Sequence, residues 1–105
     1  MKHISVEDLA AGLNAGIEFH LIDVREPHEH AAFNIGGKLI PLNTVLAKRE
    51  EIPIDIPVIL YCRIGVRSQI AIQRLEGKFP FENLFNLAGG IEAWKKYFHS
   101  DHSAF

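Results

Sequence analysis

Val58-Ile59-Leu60-Tyr61-Cys62-Arg63-Ile64-Gly65-Val66-Arg67-Ser68 is the stretch that decides the fold. Its first four residues form a short, β-favouring apolar run, as in a buried strand. Beyond it, Gln69-Ile70-Ala71-Ile72-Gln73-Arg74-Leu75 reads as a helix spanning 68–76, with Gly77 as its stop. A tight loop containing Gly65 joins strand to helix, and at the strand end sits Cys62, the only cysteine. Three features there favour negative charge on the sulfur. Helix N-terminal N–H groups attract anions. Successive loop N–H groups converge into a nest. Arg63 and Arg67 flank the thiol. Burial opposes them, and the expectation is a site open to solvent on one side.

Working outward, the same alternation repeats. Ile4 ends a first strand, and Ser5 caps a helix with Val6, Leu9, Ala10 and Leu13 on one stripe. Gly16 suits the left-handed residue after that helix. Residues 19–24 read as a strand, and Pro27 opens a helix running to about Ala32. Lys38-Leu39-Ile40 is a short strand stopped by Pro41. Asn43 caps a further helix carrying Val45, Leu46 and Ile52. Pro53 and Pro57 punctuate the approach to the central strand. Residues 84–87 form a last strand, Gly89-Gly90 a turn, and 91–98 a helix with Trp94 and Phe98 on one face. Strands alternating with helices predict an α/β fold: a mainly parallel sheet of about five strands with helices on both faces. Ligands of such sheets bind beyond the carboxyl ends of the strands, where Cys62 falls.

Composition sets limits. The 105 residues amount to one domain, expected over 1–98, with 99–105 as a flexible tail. An apolar fraction of 48% with 23% charged residues suits a globular core, and no apolar run has transmembrane length. A net charge of −2 offers no basic footprint for nucleic acid. The N-terminus has no secretory pattern, and a lone thiol suits a reducing, cytoplasmic setting. No nucleic-acid or membrane partner is expected.

Three motifs resemble one family, the single-domain rhodaneses, which are sulfurtransferases. Asp23-Val24-Arg25-Glu26-Pro27-His28-Glu29 is similar to its first signature. Cys62-Arg63-Ile64-Gly65-Val66-Arg67-Ser68 is similar to its active-site loop. Leu87-Ala88-Gly89-Gly90-Ile91-Glu92-Ala93-Trp94 is similar to its closing signature. The order and spacing strengthen the match. One stretch departs: Phe33-Asn34-Ile35-Gly36-Gly37-Lys38 stands where the family usually has Gly-His-Ile-Pro-Gly-Ala. The resemblance implies a rhodanese-like fold, no cofactor, and a persulfide relay. In it Cys62 takes sulfur from a small anionic donor such as thiosulfate. An outside acceptor then receives it: a small molecule, a thiol or a carrier protein.

The residues fit that chemistry. Arg63, Ile64, Gly65, Val66, Arg67 and Ser68 form the substrate-binding loop, with Gly65 aiming N–H groups inward and the arginines drawing an anion. Two enzymatic rivals, cysteine phosphatase and arsenate reductase, use a Cys-x5-Arg loop. Here Arg67 follows after the four residues 63 to 66, a cradle better sized for one sulfur atom. A non-enzymatic interaction module is the further alternative. Asp23, Arg25 and Glu29 read as a structural ion-pair network beside the site. His28 and His30 lack zinc spacing and read as exposed helix residues, so no metal is expected.

Overall fold

The computed structural model describes residues 1–103, with side-chain surroundings to residue 99. Five strands form one sheet: β1 (Lys2–Ile4), β2 (His20–Asp23), β3 (Lys38–Leu39), β4 (Val58–Tyr61) and β5 (Leu84–Leu87). Their order is β1-β5-β4-β2-β3, and every pairing is parallel. Three α-helices lie in the crossovers, α1 (Val6–Asn14), α2 (Pro27–Ala32) and α3 (Val66–Lys78), and a fourth, α4 (Gly90–Ser103), follows β5. The α/β architecture expected from the alternation is therefore present, with β4 at its centre.

Side-chain alternation along β4 divides the interior in two. Val58 and Leu60 point to a cluster with Ile22, Val24, Ile72 and Leu75, closed by α3. Ile59 and Tyr61 point the other way, to Leu87 of β5 and to Val6, Leu9 and Ile91 of the α1 and α4 layer. All four β4 residues are buried, which is why the strand reads as an unbroken apolar run.

Local chemistry explains most boundaries. The Ser5 hydroxyl accepts the Asp8 N–H at 3.0 Å, capping α1. Beyond α1 the chain turns through Gly16 at φ 81°. Pro27 occupies the first turn of α2, where its missing N–H costs nothing.

Helix α3 begins at Val66, two residues before the expected Ser68, and three larger departures from the sequence expectation stand beside it. The helix expected from Asn43 is instead two 3₁₀ turns, Leu42–Thr44 and Arg49–Glu51. A 3₁₀ turn stacks residues three apart, and that sends Val45 and Ile52, each three after a turn's first residue, into the core. Gly77 does not stop α3, which runs through it to Lys78. A helical glycine costs only about 1 kcal/mol; the real stop is Pro80, which holds Phe79 extended at φ −136°. Helix α4 passes the expected end at Phe98 and reaches Ser103; residues 104 and 105 of the expected tail lie outside the described residues.

Leu60 is fully buried at the sheet centre. Leu60→Ala is expected to destabilise the fold by about 2–5 kcal/mol, since the enclosed site cannot collapse around the void. Urea unfolding checks it through a lower midpoint at unchanged slope.

Candidate active site

Alternation continues one residue past β4 and puts Cys62 in the same cluster as Leu60. Its sulfur is met by backbone and hydroxyl groups. The Gly65 N–H donates to Sγ at 3.1 Å and the Ser68 N–H at 3.4 Å. The Ser68 Oγ lies 3.3 Å away. Gly65 adopts φ 96°, the left-handed conformation that turns its N–H onto the sulfur and starts α3.

The loop carbonyls are held away from the sulfur by α4. Ile91 N–H donates to the Cys62 carbonyl, and Glu92 N–H to the Arg63 carbonyl, both at 2.9 Å. This close approach requires Gly90, because a Cβ there would lie 2.4 Å from the Cys62 carbonyl oxygen. Gly89-Gly90 is therefore more than a turn, because Gly90 also seats the loop.

Cys62 is only 1% exposed. The open side expected for the sulfur is not seen, because the loop folds over it. Arg63, Ile64 and Val66 are on the outside: Ile64 and Val66 are over half exposed, and the Arg63 side chain's ion-pair partner is Glu92 at 3.6 Å.

Arg67 is committed elsewhere. Its guanidinium donates to both Glu29 carboxylate oxygens, at 2.7 and 2.9 Å. Those bonds hold the Glu29 carboxyl down at about 2 against the opposing effect of burial. The same pairing raises Arg67. Glu29 also accepts the Glu26 N–H at 3.0 Å, so the pair links the start of α2 to the start of α3.

Beside it lies a buried network. Asp23, with no exposure, takes the Arg25 Nε at 2.9 Å and Nη2 at 2.8 Å, one on each oxygen. His30 Nδ1 lies 2.9 Å from Asp23 Oδ2, so this histidine is not the free surface residue the sequence suggested; His28 is exposed. Arg25 also donates to the Phe33 carbonyl at 2.6 Å, and the Tyr61 hydroxyl to the Gly36 carbonyl at 2.8 Å. Burial pushes that hydroxyl's ionisation up. Asn34 closes the loop: its amide donates to the His30 carbonyl at 3.0 Å and accepts the Gly36 N–H at 2.9 Å. Thus the departure at 33–38 is a loop tied by Asn34, a side-chain turn that needs no proline.

One contact went unforeseen. The Ser68 hydroxyl donates to Asn86 Oδ1, and Asn86 reaches His3. The signal was present in β5, where Asn86 occupies an inward position beside the apolar Leu84 and Leu87.

Comparison with known proteins agrees on one family. The chain matches the Rhodanese-like domain over residues 5–97. It is 40% identical to Bacillus subtilis YqhL, covering 90% of this chain and 72% of that one. It is 34% identical to a sulfurtransferase of Allochromatium vinosum, covering 92% and 91%. It also matches the probable adenylyltransferase/sulfurtransferase MoeZ of Mycobacterium tuberculosis at 38% identity, covering 93% of this chain but only 26% of that longer protein. Among solved structures, a Rhodanese-like domain protein from Staphylococcus aureus superposes with a TM-score of 0.80 at 28% identity, covering 90% and 91%.

The Glu29–Arg67 pair has a pH signature. The Glu29 carboxyl is depressed in the fold, so its contribution is fully present above the ordinary carboxylate value and fades as pH falls towards about 2. Glu29→Gln is expected to lower the melting temperature at neutral pH. The gap to the parent should narrow between about pH 4.5 and pH 2. Thermal unfolding across that window is the measurement.

Proposed function

This chain belongs to the rhodanese-like domain family, and on that premise we propose that it moves sulfane sulfur from an anionic donor such as thiosulfate to a nucleophilic acceptor through a persulfide on Cys62. The observation that carries the reading is the set of neutral donors on one sulfur, Gly65 N–H at 3.1 Å and Ser68 N–H at 3.4 Å, with the Ser68 hydroxyl beside them. Such a set stabilises charge on a thiolate without protonating it.

The Cys62 thiolate attacks the outer sulfur of thiosulfate. A new S–S bond forms, and the old one breaks with its electron pair leaving on sulfite. Cys62 then carries a terminal persulfide sulfur. The acceptor's lone pair attacks that terminal sulfur, and the Cys62 thiolate is regenerated. No second cysteine is present to intercept the persulfide, so the cycle ends on an outside acceptor. The rim suits either a small thiol or a carrier protein: Ile64 and Val66 give apolar contact and Arg63 a positive charge. The lone reduced thiol fits a cytoplasmic setting.

Arg67 is proposed to meet the anionic donor at the edge of the site while Glu29 keeps it in place. Asp23 and Arg25 act as scaffold. The phosphatase reading is weaker, because its arginine must grip a tetrahedral phosphate inside the loop. Arg67 comes one residue early for that and is bound to Glu29 through two bonds.

Intact-mass measurement after thiosulfate treatment is expected to show a gain of one sulfur atom, reversed by reductant and absent in Cys62→Ser. No gain in the parent, with turnover of p-nitrophenyl phosphate instead, would favour phosphoryl transfer.

Arg67→Ala is expected to lower kcat/KM for thiosulfate about tenfold to a hundredfold, the worth of one charge-assisted contact. An unchanged steady-state rate with thiosulfate removes Arg67 from the donor site.

A further inference from the structure

A line of hydrogen bonds leads from the sulfur across the sheet to its edge. Cys62 Sγ lies 3.3 Å from Ser68 Oγ, and the Ser68 hydroxyl donates to Asn86 Oδ1 at 2.5 Å. Asn86 Nδ2 in turn donates to His3 Nδ1 at 3.2 Å. Cys62, Ser68 and Asn86 are at most 1% exposed, whereas His3 is exposed. The sheet register lays this line down. His3 on edge strand β1 faces Asn86 on β5, and Asn86 faces Leu60 on β4, two residues before Cys62. All therefore share the α3 side of the sheet.

Each member has few protons to offer. The hydroxyl has one, the amide has a donor end and an acceptor end, and the ring nitrogen presents either a lone pair or a proton. With a lone pair on His3 Nδ1, Asn86 turns its NH2 to the ring and its carbonyl to Ser68. The only Ser68 hydroxyl proton is then spent on Asn86, and the sulfur must itself donate through S–H. With a proton on Nδ1, the amide turns over: Oδ1 accepts from His3, Nδ2 donates to Ser68 Oγ, and the Ser68 hydroxyl donates to the sulfur. The partners are the same in both directions, and the flip needs only that the 2.5 Å contact between Ser68 and the amide lengthen to the ordinary N–H···O range. Only the second gives an ionised sulfur a third donor beside the two N–H groups.

We infer that His3 and Asn86 are positioning residues for Cys62, with the hydrogen on His3 Nδ1 setting whether Ser68 donates to the reacting sulfur. No proton travels along the line. The S–H proton leaves to solvent, and His3 exchanges its own with solvent at the sheet edge. The inference rests on Cys62 being the reacting atom of the proposed transfer, but needs no particular sulfur donor.

Iodoacetamide labelling of Cys62 tests it without any sulfur chemistry. His3→Phe keeps a ring at the edge and removes Nδ1. It is expected to slow labelling at neutral pH about threefold to tenfold, the worth of one hydrogen bond. His3→Asn places an amide near the Nδ1 position and is expected to label within about twofold of the parent. In a Ser68→Ala background, His3→Phe is expected to add nothing, since the line is already cut. The ¹⁵N shifts of the His3 ring are expected to move when Cys62 is alkylated, a readout that needs no substitution. Parent-like labelling of His3→Phe, the same slowing in both backgrounds, or an unmoved ring would each overturn the inference. Failure of thiosulfate to load Cys62 would leave these results standing, so the two proposals fail separately.

Discussion

Strand β4 is enclosed on both faces along its whole length, and this constraint ranks the others. With no water on either side, each of its N–H and C=O groups must pair within the sheet. That places β4 between β2 and β5, in one register with each. The enclosure carries on past the strand. The Tyr61 carbonyl takes the Val24 N–H at 3.0 Å, and the Cys62 carbonyl takes Ile91. The short reach from Arg63 to Gly65 is all that is left to form the loop, so the sulfur has little room to be anywhere else.

Formal charges and the sulfur are kept apart. Asp23 with Arg25, and Glu29 with Arg67, neutralise one another beside the site. What touches the sulfur is a pair of N–H dipoles and a hydroxyl. Dipoles fixed in a backbone do not reorganise as charge shifts during reaction, unlike long flexible side chains. The ion pairs contribute through position: one binds α2 to α3, the other anchors the loop at Phe33.

Legibility followed how local the cause was. The strands at 58–61 and 84–87, the Ser5 cap and Pro27 were readable because composition and capping act over a few residues. The 3₁₀ turns around Leu42 and Arg49 were not, because tertiary burial of Val45 and Ile52 outweighs helical spacing. Gly77 misled because a glycine is a weak stop when packing supports the helix. At the site, Cys62 and its loop stood out as a motif. The burial of the sulfur, the pairing of Arg67 with Glu29, and the contacts of Gly90, Asn86 and His3 depend on segments far apart in the chain. A single sequence carries no record of those meetings.

The edge position of β1 has a consequence for biogenesis. Lys2 pairs with Phe85 and Ile4 with Leu87, so the first strand of this domain is docked by its fifth. During synthesis it has no partner until β5 has emerged. Such a non-local pairing must close most of the domain as a loop before it gains any stabilisation, which makes it a late event. The central strands can meet their neighbours sooner. The contact from Asn86 to His3 can therefore close only once β5 is formed and the two ends of the domain have met.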